Sequence, residues 1–161
     1  MFTTRAVDLE FLTSAPLRLS FAGTLRAAPA AVFDAIAREV TTLPRWHGAV
    51  ASAEYAGAEP YGVGTKRRVK LVGGVTFHEE VIAWDDPDRY AYRIERTTVP
   101  GIRAAAEEWS VVETPAGTRV AWTMAVDAAP PMAAALRAAA PGIAVATRRA
   151  LGRLDRRLGA G

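Results

Sequence analysis

Three charged residues, Arg67, Glu79 and Glu107, stand where the alternation of their segments calls for apolar side chains. The stretch KRRVKLVGGVTFHEE (66–80) reads as a β-hairpin, two alternating runs around Gly73-Gly74. A two-residue glycine turn would pair Lys70 with Phe77 and mix charged with apolar residues. A three-residue loop over 72–74 pairs Leu71 with Val75, Val69 with Phe77, and Arg67 with Glu79. It sends Lys66, Arg68, His78 and Glu80 to the other face. Only the second register separates the faces, so it is the one expected. Arg67 and Glu79 then oppose each other on the inner face.

Downstream, TPAG suits a tight turn that pairs Trp109 with Trp122, Val111 with Val120, and Glu107 with Met124. Continued through the VPG turn, one layer reads Arg67, Glu79, Ile94, Glu107, Met124. The next reads Val81, Tyr92, Trp109, Trp122, with Tyr90 and Phe77 on the same face. Burying an unpaired charge costs on the order of several kcal/mol, so three charges in one inner layer predict a wet cavity. Glu79 and Glu107, two strands or roughly 10 Å apart, could converge on one bound molecule as acid and base. Arg67 would hold Glu79 ionised or bind a developing oxyanion. Desolvation should raise the Glu107 pKa while Arg67 holds Glu79 down, the separation that gives one site an acid and a base. The competing reading is a simple Arg67–Glu79 ion pair, with Glu107 reaching solvent at a sheet edge.

The elements that must position these residues follow from periodicity. PLRLSFAGTLRA (16–27) alternates as a strand, and the earlier AVDLEF alternates too and could extend the sheet. APAAVFDAIAREV starts with proline near a helix N-terminus, and TTLPRWHG is a second short helix or turn. Six alternating segments from Ala49 to Asp127 predict an antiparallel meander. From Pro130 to Leu158 a helical stripe of Met132, Leu136, Ile143, Leu151, Leu154 and Leu158 follows, with an interruption expected at Pro141-Gly142. The fold class is α+β: a curved antiparallel sheet around one long C-terminal helix, with two short helices after the first strand. Alanines on both surfaces predict room between sheet and helix, a cavity of roughly 300 Å³ or more beside residues 143–154. Its wall should include Phe77, Tyr92, Trp109, Trp122 and Met124.

Bulk properties narrow the function. The 161 residues make one domain and contain no cysteine, which removes disulfides and thiolate chemistry. No apolar run approaches the ~18 residues of a membrane span. Asp8 and Glu10 interrupt any signal-like segment, so a cytoplasmic protein is expected. The net charge of +3 owes much to Arg148, Arg149, Arg153, Arg156 and Arg157. Without interleaved aromatics these read as a solvated helix face, its last turns favouring cations beside the helix dipole, rather than a nucleic-acid or membrane patch. His47, beside Trp46, stands where the chain enters the sheet and could act as a base at a pocket mouth. His78 faces the other way, so no metal site is expected, and GVG (62–64) opens a strand, so no nucleotide cofactor is expected either.

The segments APAAVFDAIA…LPRWHGAV, GVGTKRRV, DDPDRYAYRI and EEWSVVETPAGTRVAWTM together resemble the START-like (SRPBCC) helix-grip superfamily, from about Leu17 to Leu158. That superfamily has the Bet v 1-like fold and includes pollen allergens, plant hormone receptors and bacterial polyketide cyclase/dehydrases. The WSVVETPAGTRVAW hairpin is most similar to that of aromatase/cyclases, which implies that Trp109 and Trp122 face a pocket. The resemblance also implies pocket-facing Phe77, Glu79, Val81 and Ala83. Aromatase/cyclases carry an arginine where Ala83 stands and a tryptophan where Glu79 stands, whereas Glu79 resembles the pocket glutamate of the hormone receptors. A single START-like domain is thus expected to enclose a small hydrophobic, polyketide-like or aromatic molecule. Beyond the residues already named, Trp46, Val69, Tyr90, Ile94 and Ile143 are expected to contribute to its binding. Cofactor-free cyclisation or dehydration is the expected activity, and carriage or sensing of a lipid, quinone or isoprenoid the alternative. Monomer and homodimer both remain open.

Overall fold

The computed structural model describes residues 1–160. A two-residue strand, β1 (Phe2–Thr3), and a short helix, α1 (Phe11–Ser14), come first. Strand β2 (Leu17–Leu25) is followed by α2 (Pro29–Phe33), a π turn over Asp34–Arg38 and a 3-10 turn over Val40–Arg45. Pro29 occupies the first turn of α2, where its missing N–H costs nothing. Six strands come next: β3 (Val50–Tyr55), β4 (Lys66–Leu71), β5 (Thr76–Asp85), β6 (Arg89–Thr97), β7 (Ile102–Thr114) and β8 (Gly117–Ala128). Helix α3 (Pro130–Ala160) closes the chain. The strand order is β2-β8-β7-β6-β5-β4-β3, every pair antiparallel. The sheet therefore curls from the first long strand round to β3 with the helix against its inner face, the helix-grip architecture.

Three features depart from the sequence reading. AVDLEF does not extend the sheet: only β1 pairs with β6, and α1 forms where the alternation ends. Val7, Phe11 and Leu12 of this segment cover the outer face over Ala83, Ala91, Ala104, Ala106 and Ala125. Alanine there lets a helix lie close to the sheet, so these five sheet alanines make contact on the outside rather than room on the inside. Helix α3 also runs without interruption through Pro141. Proline removes one N–H···O=C bond, but Arg137 and Pro141 are near the surface, where water can satisfy the orphan carbonyl.

The principal core joins Phe33, Ile36 and Trp46 with Tyr90, Tyr92, Trp109 and the Ala150, Leu151 and Leu154 face of α3. The helix lies so close over β2 that a Cβ at Gly23 would stand 2.9 Å from Leu151 Cδ1. A smaller cluster of Ile94, Ala105 and Val126 meets Leu136, Phe77 and Met124 near the other end of α3. Between these two contacts Thr147 is buried, and Ile143 and Ala144 are half-buried.

Candidate functional site

The hairpin register places Arg67 opposite Glu79, and Val69 opposite Phe77, with Leu71 N–H donating to Val75 O across the three-residue loop. Arg67 Nε and Nη2 both donate to Glu79 Oε2 at 2.5 Å. Both side chains are nearly sealed, at 5% and 4% exposure. The Arg67 guanidinium also lies over the Tyr92 ring, 4.2 Å from its centroid, and 5.4 Å from that of Tyr90. These cation–π contacts replace much of the hydration that the cation gives up. Tyr90 in turn shares a 2.7 Å hydroxyl–hydroxyl bond with Tyr55.

The β7–β8 hairpin pairs Trp109 with Trp122 and Glu107 with Met124, as TPAG implies. The two indoles stack at 5.5 Å and 12°. The β6–β7 register differs by two residues from a simple continuation of the VPG turn. Tyr92 faces Glu107, and Tyr90 faces Trp109; Ile94 faces Ala105, not Glu107. The β6–β7 ladder ends at Ile94–Ala105, so the connection that contains Gly101, at φ +82, does not carry the pairing through the turn. A two-residue slip keeps every side chain on its face, so alternation could not detect it. Its consequence is chemical. Tyr92 Oη donates to Glu107 Oε2 at 2.6 Å, Trp122 Nε1 donates to the same oxygen at 3.1 Å, and Trp109 Nε1 reaches Tyr92 Oη at 3.3 Å.

Glu107 is half-buried and remains open to the interior, whereas Glu79 is closed off. Burial raises the Glu107 carboxyl above its usual range, opposed by the Tyr92 and Trp122 hydrogen bonds. Burial also pushes Glu79 up, to about 7, against the opposing charge of Arg67 and with help from Glu107. This corrects the expectation that Arg67 holds Glu79 down. Near-complete desolvation outweighs a single arginine, so the two carboxyls are raised together rather than pushed apart.

A second correction concerns Ala83. A bulge between Val81 and Ala83 turns the strand, so Ala83 packs outside under α1 and Trp84 takes the inner side, edge-on to Phe33 and Tyr90. Trp46, Val69, Val81, Tyr90, Tyr92 and Trp109 all lie in the packed core. The chamber expected beside 143–154 is therefore filled at its 150–154 end. Phe77, Glu107, Trp122, Met124 and Ile143 remain half-buried. Ile94 lies beneath Phe77 and Met124 in the smaller cluster. A concavity of about 380 Å³ lies across β3–β6, lined mainly by outer-face residues such as Glu54, Lys66, Arg68 and His78. His47 sits edge-on to Trp122 at 6.4 Å, with its Nδ1 buried and without a hydrogen-bond partner, and burial lowers its pKa. Among the described residues no cluster of His, Asp or Glu has the arrangement of a metal site. The tyrosine hydroxyls that organise this site were invisible to alternation, which reports the face of a residue and not its partner.

The fold is shared widely. A crystal structure of a Thermus thermophilus protein superposes with a TM-score of 0.69 at 21% identity, covering 89% of this chain and 98% of that one. The ginseng major latex-like protein 151 of Panax ginseng superposes at 0.63 and 10% identity, covering 83% and 97%. In sequence, an uncharacterized protein of Mycobacterium tuberculosis is 33% identical over 156 residues, 97% of this chain and 93% of the relative. The family model described as polyketide cyclase / dehydrase and lipid transport matches residues 18–159, and with that match over nearly the whole chain the protein belongs to this family.

Proposed function

We propose that the protein binds a small apolar molecule carrying one polar group in the gap between β5–β8 and the middle of α3. Glu107 meets that polar group and exchanges a proton with it. The observation that carries this reading is the contrast between two inner-face carboxyls. Glu79 is consumed by Arg67, whereas Glu107 is oriented by Tyr92 and Trp122 through one oxygen and stays accessible. An oriented, desolvated carboxyl of raised pKa can take a proton from an acidic carbon or hydroxyl and return it to a leaving oxygen. Cyclisation or dehydration of a polyketide-like or aromatic substrate needs nothing more from a cofactor. Phe77, Trp122, Met124 and Ile143 supply the apolar wall, and the sealed Arg67–Glu79 pair fixes Tyr92 from behind.

Conversion of a poly-β-keto thioester and binding of a polycyclic phenol, followed by mass spectrometry and fluorescence, test the proposal. Glu107→Gln keeps the shape and should retain affinity within a few-fold while losing on the order of a hundredfold or more in turnover. Equal conversion by parent and variant would remove the acid/base role. A second reading, a carrier of a lipid, quinone or isoprenoid, is favoured by an accessible wall that is apolar apart from Glu107 and the neighbouring His47. It is the answer if the parent binds such molecules and releases them unchanged.

A further inference from the structure

Helix α3 carries Arg148, Arg149, Arg153, Arg156 and Arg157 within ten residues. Arg148, Arg149, Arg153 and Arg156 are exposed, and the four fall within roughly 140° of the helix circumference at 3.6 residues per turn. Thr147, Ala150, Leu151 and Leu154 are buried on the opposite side. Elsewhere many of the surface arginines are paired within the chain: Arg38 with Asp34 and Asp86, Arg68 with Glu54, Arg89 with Asp85, Arg93 with Glu80. Among the described residues none of the five forms an ion pair, and Asp155, the one acid in their midst, is engaged by Arg26. Helix-dipole stabilisation reaches only the last turn, which contains Arg157 alone. The other four arginines repel one another, with no partner in the fold to offset it. Gly152 leaves a depression of about 330 Å³ between Arg148, Arg149, Arg153 and Arg156.

The face also adjoins the candidate site. Arg153 Nη1 lies 2.9 Å from where a Cβ at Gly48 would stand, and the neighbouring His47 packs edge-on to Trp122. We propose that this arginine face docks the protein on an anionic phospholipid surface. Docking brings the His47–Gly48 loop, and the gap beside Trp122, against the lipid. The choice of a bilayer over another polyanion rests on the apolar-ligand reading above, since a bilayer is where an apolar ligand dissolves. It also rests on the absence of aromatic residues among the arginines, which a single-stranded nucleic acid would need for stacking.

The full chain, without added ligand, is sedimented with vesicles of phosphatidylcholine alone or with about 30 mol % phosphatidylserine, where each basic residue at the surface strengthens binding roughly fivefold. Binding to the anionic vesicles alone is expected, weakening as salt is added. Arg149→Glu with Arg156→Glu should lower it about thirtyfold or more. Lys70→Glu with Arg119→Glu, the same charge change on exposed sheet residues, should leave it within a few-fold. Should the reversals disturb the thermal melt, Arg149→Gln with Arg156→Gln gives the same ordering with a smaller loss. The proposal is overturned if the parent ignores anionic vesicles, if both variants lose binding equally, or if the parent prefers a single-stranded RNA to the vesicles. Phenol binding measured in vesicle-free buffer should be the same in parent and arginine variants. Its absence in the parent would count against the proposed function and leave the docking result standing.

Discussion

At the residue scale, Tyr92 is the joint between the two charged groups of the inner face. Its ring lies under Arg67 and its hydroxyl donates to Glu107. A hydrogen bond to an ionised carboxylate favours the ionised form, so Tyr92 opposes the burial that raises Glu107. Tyr92→Phe should move the titration of Glu107 upward, read from the Trp122 fluorescence that its carboxylate contacts. The apolar wall and the Arg67–Glu79 pair remain intact. The change should also slow any proton transfer about tenfold or more at neutral pH while ligand affinity stays within a few-fold. An unchanged midpoint would show that the hydroxyl does not hold the carboxylate. Nothing in the sequence alternation singles out Tyr92 for this role, because a slip of two residues exchanges Tyr92 and Ile94 opposite Glu107 without changing any face. The Arg67–Glu79 pair was legible, since a one-residue alternative would have mixed charged and apolar side chains and could be rejected.

At the element scale, the β4–β5 and β7–β8 hairpins were legible from their turns, whereas the β6–β7 hairpin behind VPG was read two residues off. The TPAG turn fixes the register of the Trp109–Trp122 pair, and Gly117 shows why it cannot slip. It sits at φ +128, and a Cβ there would lie 2.1 Å from the Leu25 carbonyl oxygen of the neighbouring strand. Gly117→Ala must displace backbone, so a loss of about 3 kcal/mol or more is expected in urea unfolding. Gly73→Ala, also at positive φ but with open space around it, should cost about 1 kcal/mol. Comparable losses for the two would mean that the β2–β8 contact does not enforce the turn. The bulge at Val81–Ala83 was hidden for a related reason. An inserted residue reverses the faces beyond it, and alanine, acceptable on either face, gives no signal of the reversal. The N-terminal segment misleads because its alternation serves a short helix covering the alanine face.

At the scale of the whole molecule, the order of elements carried the architecture, because only one long apolar helix was present to cover a curled sheet. How tightly that helix closes depended on side-chain volumes that no pattern encodes. The same closure sets how stability depends on pH. Glu79 titrates at about 7 in the fold against 4.5 for a free carboxyl, so the folded state holds its proton more tightly than the unfolded chain. Its contribution is fully present below about 4.5 and is lost as pH rises through about 7, at about 1.4 kcal/mol per unit of difference. Glu80, bound by Lys66 and Arg93 on the outer face, titrates at about 2, so its contribution is present above about 4.5 and disappears as pH falls through 2. The two windows meet near pH 4.5, and stability should peak on the acid side of neutrality. Urea unfolding of the parent is expected to show a decline between pH 5 and pH 7.5 that Glu79→Gln reduces, because glutamine has no proton to surrender, while Glu107, also raised by burial, keeps part of the slope. Glu80→Gln should leave that decline unchanged and remove stability at every pH above about 4.5. A decline that Glu79→Gln leaves unchanged would mean that Arg67 outweighs burial at Glu79. The inner carboxylate would then be a permanently ionised pair, and Glu107 alone would titrate inside the grip.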